Sequence, residues 1–121
     1  MSSGGAERDR LNIIMRAVFW IALATVLVLS SMPNPPNMPP NTDKIQHALA
    51  FLGLGLLGGL AYPRLPLFRL ALALAAFGAL IEFVQAIPAL HRNTELLDWI
   101  ADIGGIAVAL VLLATWRRLK R

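Results

Sequence analysis

LFRLALALAAFGALIEFVQAI, running from Leu67 to Ile87, is the stretch whose reading decides the fold. Leucine and alanine alternate through its first half. At 1.5 Å per residue, about twenty such residues make a helix as long as the hydrocarbon layer of a bilayer is thick. Pro66 stands before the run and Pro88 after it, and a residue without an amide hydrogen bounds a helix naturally. One ionisable residue, Glu82, follows the uninterrupted apolar stretch Leu70 to Ile81. A charge there costs several kcal/mol in lipid, so Glu82 demands a partner within the protein.

Three further runs read the same way. The first covers about 12–31, its core extending from Ala17 to Leu29; the second covers about 44–62 and the fourth about 96–116. Pro63 and Pro66 bracket a tight turn between the second and third. The segment Pro33 to Pro40 holds five of the eight prolines and is expected to be extended, polyproline-like backbone. It leads into Asn41-Thr42-Asp43, a helix start in which Asp43 and Gln46 have capping-box spacing. Thr94 and Glu95 form a similar start for the fourth run.

The totals agree. Of 121 residues, 57% are hydrophobic and 15% charged, well below the quarter usual for soluble domains. The expected fold is therefore all-α, an integral membrane four-helix bundle, with residues 1–11 as an N-terminal tail, 12–116 as the membrane domain and 117–121 as a basic tail. The net charge of +4 does not point to nucleic acid, because the basic residues sit at the chain ends and in one short turn, with no interleaved aromatics to stack bases. The absence of cysteine excludes disulfides, thiol catalysis and thiolate metal sites.

Nine of the 11 basic residues fall on one side if both ends are cytoplasmic: Arg8, Arg10, Arg16, Arg64, Arg69, Arg117, Arg118, Lys120 and Arg121. Lys44 and Arg92 fall on the other. That bias predicts an N-in, C-in arrangement. The first run also carries features of a signal peptide, but its length, Phe19 and Trp20, and the lack of an Ala-x-Ala site after it favour an uncleaved anchor.

The polar residues gather on one level. His47 lies one turn below Asp43 on the same face of the second span. Glu82 and Gln85 share a face on the third, Glu82 roughly 9 Å before Pro88. Asp98 and Asp102 share a face on the fourth, Asp102 roughly 12 Å past Thr94. Because successive spans alternate in direction, all three stripes are expected in the outer third of the bundle. Gly55 and Gly59, Ala101 and Gly105, and Ala75 and Ala79 have the small-x-x-x-small spacing that lets helices approach closely in lipid.

The stretch Asp43-Lys44-Ile45-Gln46-His47 resembles the start of the VanZ-like membrane family, whose pattern continues with Glu-x-x-Gln, an arginine, and Asp-x-x-x-Asn-x-x-Gly. The matching residues are Asp43, Lys44, His47, Glu82, Gln85, Arg92, Asp98 and Gly105, between about Thr42 and Leu113. Asp102 stands where the family usually has asparagine. The resemblance implies a bacterial cytoplasmic membrane protein associated with resistance to teicoplanin-like glycopeptides, without an agreed chemical mechanism.

The candidate functional pocket is thus Asp43, Lys44, His47, Glu82, Gln85, Arg92, Asp98 and Asp102. Five have a plainer reading: Asp43 as a cap, Lys44 as a snorkelling residue, His47 as a satisfied buried histidine, Gln85 as an interhelical donor, Arg92 as a partner for Asp98 or Glu95; Glu82, inside the membrane after a long apolar run, is the hardest to explain that way. The leading expectation is a non-enzymatic protein whose outer pocket binds a lipid or cell-wall precursor head group, Lys44 and Arg92 meeting phosphate. The alternatives are an enzyme on a lipid-linked substrate with His47 as general base, and a small proton-coupled transporter. No serine is placed as a nucleophile, no cofactor or metal is expected, and membrane lipids are the expected partners. A divalent-metal variant on His47, Glu82, Asp98 and Asp102 has only weak support from spacing. Oligomeric state is left open.

Overall fold

A computed structural model describes residues 3–32, 42–87 and 96–120, the side chains of Ser3 and Asp43 excepted. The expected extended segment Pro33–Pro40, the Thr94–Glu95 helix start and Arg92 lie outside the described residues. Four helices account for almost all of the rest: α1 Ser3–Ser31, α2 Thr42–Ala61, α3 Leu67–Gln85 and α4 Leu96–Leu119. All four are long and apolar enough to cross a membrane. The chain is an all-α protein with the architecture of a multi-pass membrane protein.

Helix bounds depart from the sequence expectation in instructive ways. α1 begins at Ser3, well before residue 12. Ala6, Glu7, Arg8, Arg10 and Leu11 are good helix formers, so the helix continues beyond the apolar run as one rod. α4 likewise continues past Trp116 to Leu119. Its Asp98 in the first turn and Arg117 and Arg118 in the last complement the helix dipole at both ends. α3 stops at Gln85, and the Ala86 amide closes the last turn on the carbonyls of Glu82 and Phe83. Between α2 and α3 the chain reverses in a tight turn, in which the Leu65 amide donates to Tyr62 O at 3.0 Å. Pro63 takes the second position of that turn, where its fixed φ is favourable.

α2 is the central helix, packed against α1, α3 and α4, with its most extensive interface on α4. The α2–α4 pair is parallel, since matched residues rise together: Ala48 with Gly105, Gly55 with Ala109, Gly59 with Leu113. Glycine makes this possible. A Cβ on Gly55 would stand 2.5 Å from Ala109 Cβ, and one on Gly105 would collide with the backbone carbonyl of Ala48. The Gly55–Gly59 and Gly105 spacing read from the sequence therefore serves close packing. Ala79 is exposed, however, and the small residue of α3 that meets α4 is its neighbour Gly78. Phe51, Leu54, Leu74, Ile81, Ile106 and Leu113 form the apolar core.

The outside is the reverse of a water-soluble surface. Leu72, Phe83, Leu96 and Val111 are each at least 65% exposed, while His47, Glu82, Asp98 and Asp102 are buried. Only lipid favours that inversion.

One end of the bundle brings together the N-terminal half of α1, the α2–α3 turn and the last turn of α4. Trp20 Nε1 donates to the Tyr62 hydroxyl at 2.8 Å, and the Arg16 guanidinium stacks 4.7 Å over the Tyr62 ring. Two arginines from neighbouring helices also cap α2. Arg16 Nε donates to Ala61 O at 3.2 Å. Arg117 donates to Gly59 O at 3.3 Å, Tyr62 O at 3.5 Å and Leu65 O at 3.0 Å. The carbonyls of Gly59 and Ala61, in the last turn of α2, lack the amide that would continue the helix, and in a membrane they need a donor. Arg16 and Arg117 thus carry a structural role that charge bias alone did not reveal.

Candidate functional site: a buried polar cluster at one end of the bundle

The opposite end holds the ionisable residues. α2 contributes Lys44 and His47 from its first two turns, α4 contributes Asp98 and Asp102, and α3 contributes Glu82 and Gln85 near its close. Helical periodicity places each pair on one face, and the parallel α2–α4 contact sets the pairs level with each other. Lys44 Nζ lies 3.7 Å from Asp98 Oδ1. One turn deeper, His47 Nδ1 donates to Asp102 Oδ1 at 2.7 Å. These two rungs link the same two helices in the same order; the spacing put the residues on one level without choosing which side chain pairs with which.

Glu82 completes the deeper rung from α3. His47, Glu82 and Asp102 each offer a polar atom, and these atoms lie within 4.8 Å of one another. All three residues are buried, Asp102 fully. The Asp102 carboxylate has room because it faces Gly78, one helical turn before Glu82 on the same face of α3. Trp99, next to Asp98, fixes α4 against α3 by donating from Nε1 to Ala75 O at 3.1 Å.

Gln85 plays a different part from the one expected of a pocket residue. Its Nε2 donates to the backbone carbonyl of Ser30 at 2.8 Å, which joins the end of α1 to α3. This is the plainer reading of Gln85, an interhelical donor. Its Oε1 is buried and accepts no hydrogen bond from the described residues. Of the eight candidate residues, five (Lys44, His47, Glu82, Asp98 and Asp102) come together in the two rungs, and Gln85 flanks them. The Asp43 side chain and Arg92 lie outside the described set. Ser30, Gly78 and Trp99 are parts of the site that sequence reasoning missed. Gly78 left a usable signal, a small residue four positions before the buried acid.

The chemistry open to this cluster follows from its geometry. With Nδ1 donating to a carboxylate, the imidazole presents Nε2 as its basic nitrogen, and Asp102 holds the ring in orientation; the same logic underlies histidine–carboxylate pairs in acid–base catalysis. Lys44 is 28% exposed at its side chain, whereas Asp98 is 5% exposed. The cation therefore sits at the mouth and the anions behind it. His47, Glu82 and Asp102 are also the residues that would hold a divalent cation. Two nitrogen or oxygen ligands on one tetrahedral metal stand roughly 3.4 Å apart. The 2.7 Å His47–Asp102 separation is shorter, the distance of a hydrogen bond rather than of joint ligation.

No family model matches the chain, and no curated protein or solved structure is significantly similar to it.

Proposed function

We propose that this is a VanZ-like protein of the bacterial cytoplasmic membrane, N-in and C-in, that binds a phosphate-bearing lipid-linked envelope precursor at the outer leaflet and so influences glycopeptide susceptibility. The observation that carries this reading is the Lys44–Asp98 rung over the buried His47–Asp102–Glu82 group. Three helices place polar groups against lipid's preference on one level, with the cation outermost. A partly exposed ammonium held by a buried carboxylate is positioned to meet a phosphate at head-group depth, and this reading assigns Arg92, six residues before Asp98 in sequence, as a second cation. The excess of basic residues at the other end of the bundle supports the orientation, which puts the cluster on the extracytoplasmic side.

The test is binding of purified protein to vesicles carrying a polyprenyl phosphate. Lys44→Gln and Arg92→Gln weaken retention about tenfold each while the protein still accumulates in the membrane. Equal retention by both variants and the parent sinks the reading. A companion alanine scan, scored separately for protein level and glycopeptide susceptibility, has Glu82 and His47 altering phenotype more than level.

A second reading is favoured by one observation, the Asp102-oriented imidazole beside Glu82. In it the protein is an acid–base enzyme acting on a lipid-linked substrate, His47 serving as general base and Glu82 as the acid for the leaving group. Product formation from the same vesicles, abolished by His47→Ala and Glu82→Gln in protein that remains folded, separates this reading from simple binding.

A further inference from the structure

At the end of the bundle remote from the polar cluster, a cleft of about 580 Å³ opens between the first turns of α1 and the α2–α3 turn. Its walls carry Arg8, Asp9, Arg16, Tyr62, Arg64 and Arg69. Four guanidinium groups thus face one carboxylate. Neither Arg8 nor Arg64 forms an ion pair or hydrogen bond with any described residue, while Arg16 is already fixed by Ala61 O and the Tyr62 ring. The volume is that of a site for a small molecule or head group.

Its depth is marked independently. Trp20, Tyr62 and Trp116 stand at this same end, and Lys120 lies 4.3 Å over the Trp116 ring. Aromatic residues of this kind gather where a bilayer's head groups meet water. On the same two helices that wall the cleft, Phe68 and Leu72 on α3 and Ile13 on α1 are more than 60% exposed, so outward-facing apolar side chains follow within a turn or two of the arginines. A ligand that matches both has anionic phosphate at one end and acyl chains at the other.

We infer that this cleft binds the head group of an anionic phospholipid, with Arg8 and Arg64 as the principal phosphate contacts and Arg16 as a pre-positioned third. Basic pockets between spans on the positively charged side of a membrane protein take such lipids by charge-assisted hydrogen bonds, and arginine's planar fork suits phosphate oxygens. The site shares no residue with the polar cluster, so it stands or falls separately from the function proposed above.

The experiment is native mass spectrometry of the purified full-length protein in a zwitterionic detergent, titrated with phosphatidylglycerol or phosphatidylcholine. Phosphatidylglycerol adducts persist and phosphatidylcholine adducts do not. The Arg8→Gln/Arg64→Gln pair lowers phosphatidylglycerol retention by about thirtyfold, at roughly fivefold per arginine should only the single variants fold. Arg118→Gln/Arg121→Gln removes the same charge from elsewhere on the chain and changes retention less than twofold. Equal losses from the two pairs would mean that the arginines act through charge alone, and the site would be withdrawn. Displacement of the lipid by inorganic phosphate at tens of millimolar would assign the cleft to a soluble anion and overturn the lipid assignment.

Discussion

Asp102 rests against Gly78: a Cβ at position 78 would stand 2.8 Å from Asp102 Oδ2 and 3.3 Å from Trp99 Cδ1. The carboxylate cannot retreat freely, because its other oxygen accepts from His47. Gly78→Ala is therefore expected to turn the Asp102 carboxyl away from His47, at a cost of about 1–3 kcal/mol typical of overpacking. Thermal unfolding in detergent reads the cost, and a shift in Trp99 fluorescence reports the displacement. An unchanged melting temperature and spectrum would contradict the placement of Asp102.

Gly104 and Gly105 are neighbours in sequence with opposite expectations. Nothing lies within 4 Å of a Cβ on Gly104, whereas one on Gly105 meets the Ala48 backbone. Gly104→Ala should be neutral or stabilising by up to about 1 kcal/mol, the ordinary helix preference. Gly105→Ala should separate α2 from α4, lower the melting temperature and reduce accumulation in the membrane. Equal behaviour of the two variants is the outcome that would refute the parallel α2–α4 contact.

Arg117 and Arg118 offer a similar contrast. Arg117 donates to three carbonyls around the end of α2, while Arg118 is exposed. Arg117→Ala removes the donor to the Gly59 and Leu65 carbonyls and should cost about 1–3 kcal/mol, as for hydrogen bonds to a charged group. Arg118→Ala should fall within about 0.5 kcal/mol of the parent. Chemical or thermal unfolding of the two variants side by side decides it.

The His47–Asp102 pair can be weighed by a double-mutant cycle. Removing one partner of a buried pair leaves an uncompensated group and typically costs about 3–5 kcal/mol. Thus His47→Ala and Asp102→Ala should each destabilise strongly, and the double variant should lose much less than the sum. Asp102→Asn keeps an acceptor for His47 and should retain most of the protein level. Additive losses would mean that the two side chains act independently.

How far the sequence could be read depends on what kind of partner a residue has. The spans were legible because apolar length is written along the chain, and the shared level of Lys44, His47, Asp98 and Asp102 was legible because they recur at helical spacing on spans that alternate in direction, though which of them pair was not. Ionisable groups in lipid have few permissible partners, so counting turns was enough to find the level. Gln85, Arg16 and Arg117 were harder: each bonds a backbone carbonyl, and carbonyls occur at every residue and leave no mark. The same holds for Gly78 against Ala79, since both are small and only the rotation of α3 about its axis distinguishes them. The early start of α1 was missed because hydropathy ends at Asn12 while helix-forming propensity does not.

The pairing of α2 with α4 also has a consequence for biogenesis. His47 is separated from Asp102 by 55 residues, and the whole of α3 lies between them. The ribosome delivers Lys44 and His47 well before the carboxylates that neutralise them. Glu82 on α3 reaches the level of His47 first, but Lys44 gains Asp98 and His47 gains Asp102 only with α4, so the polar turn of α2 is expected to settle in stages. Final seating of the second helix is thereby deferred to α4, and a nascent chain truncated after α3 would be expected to slip or be degraded.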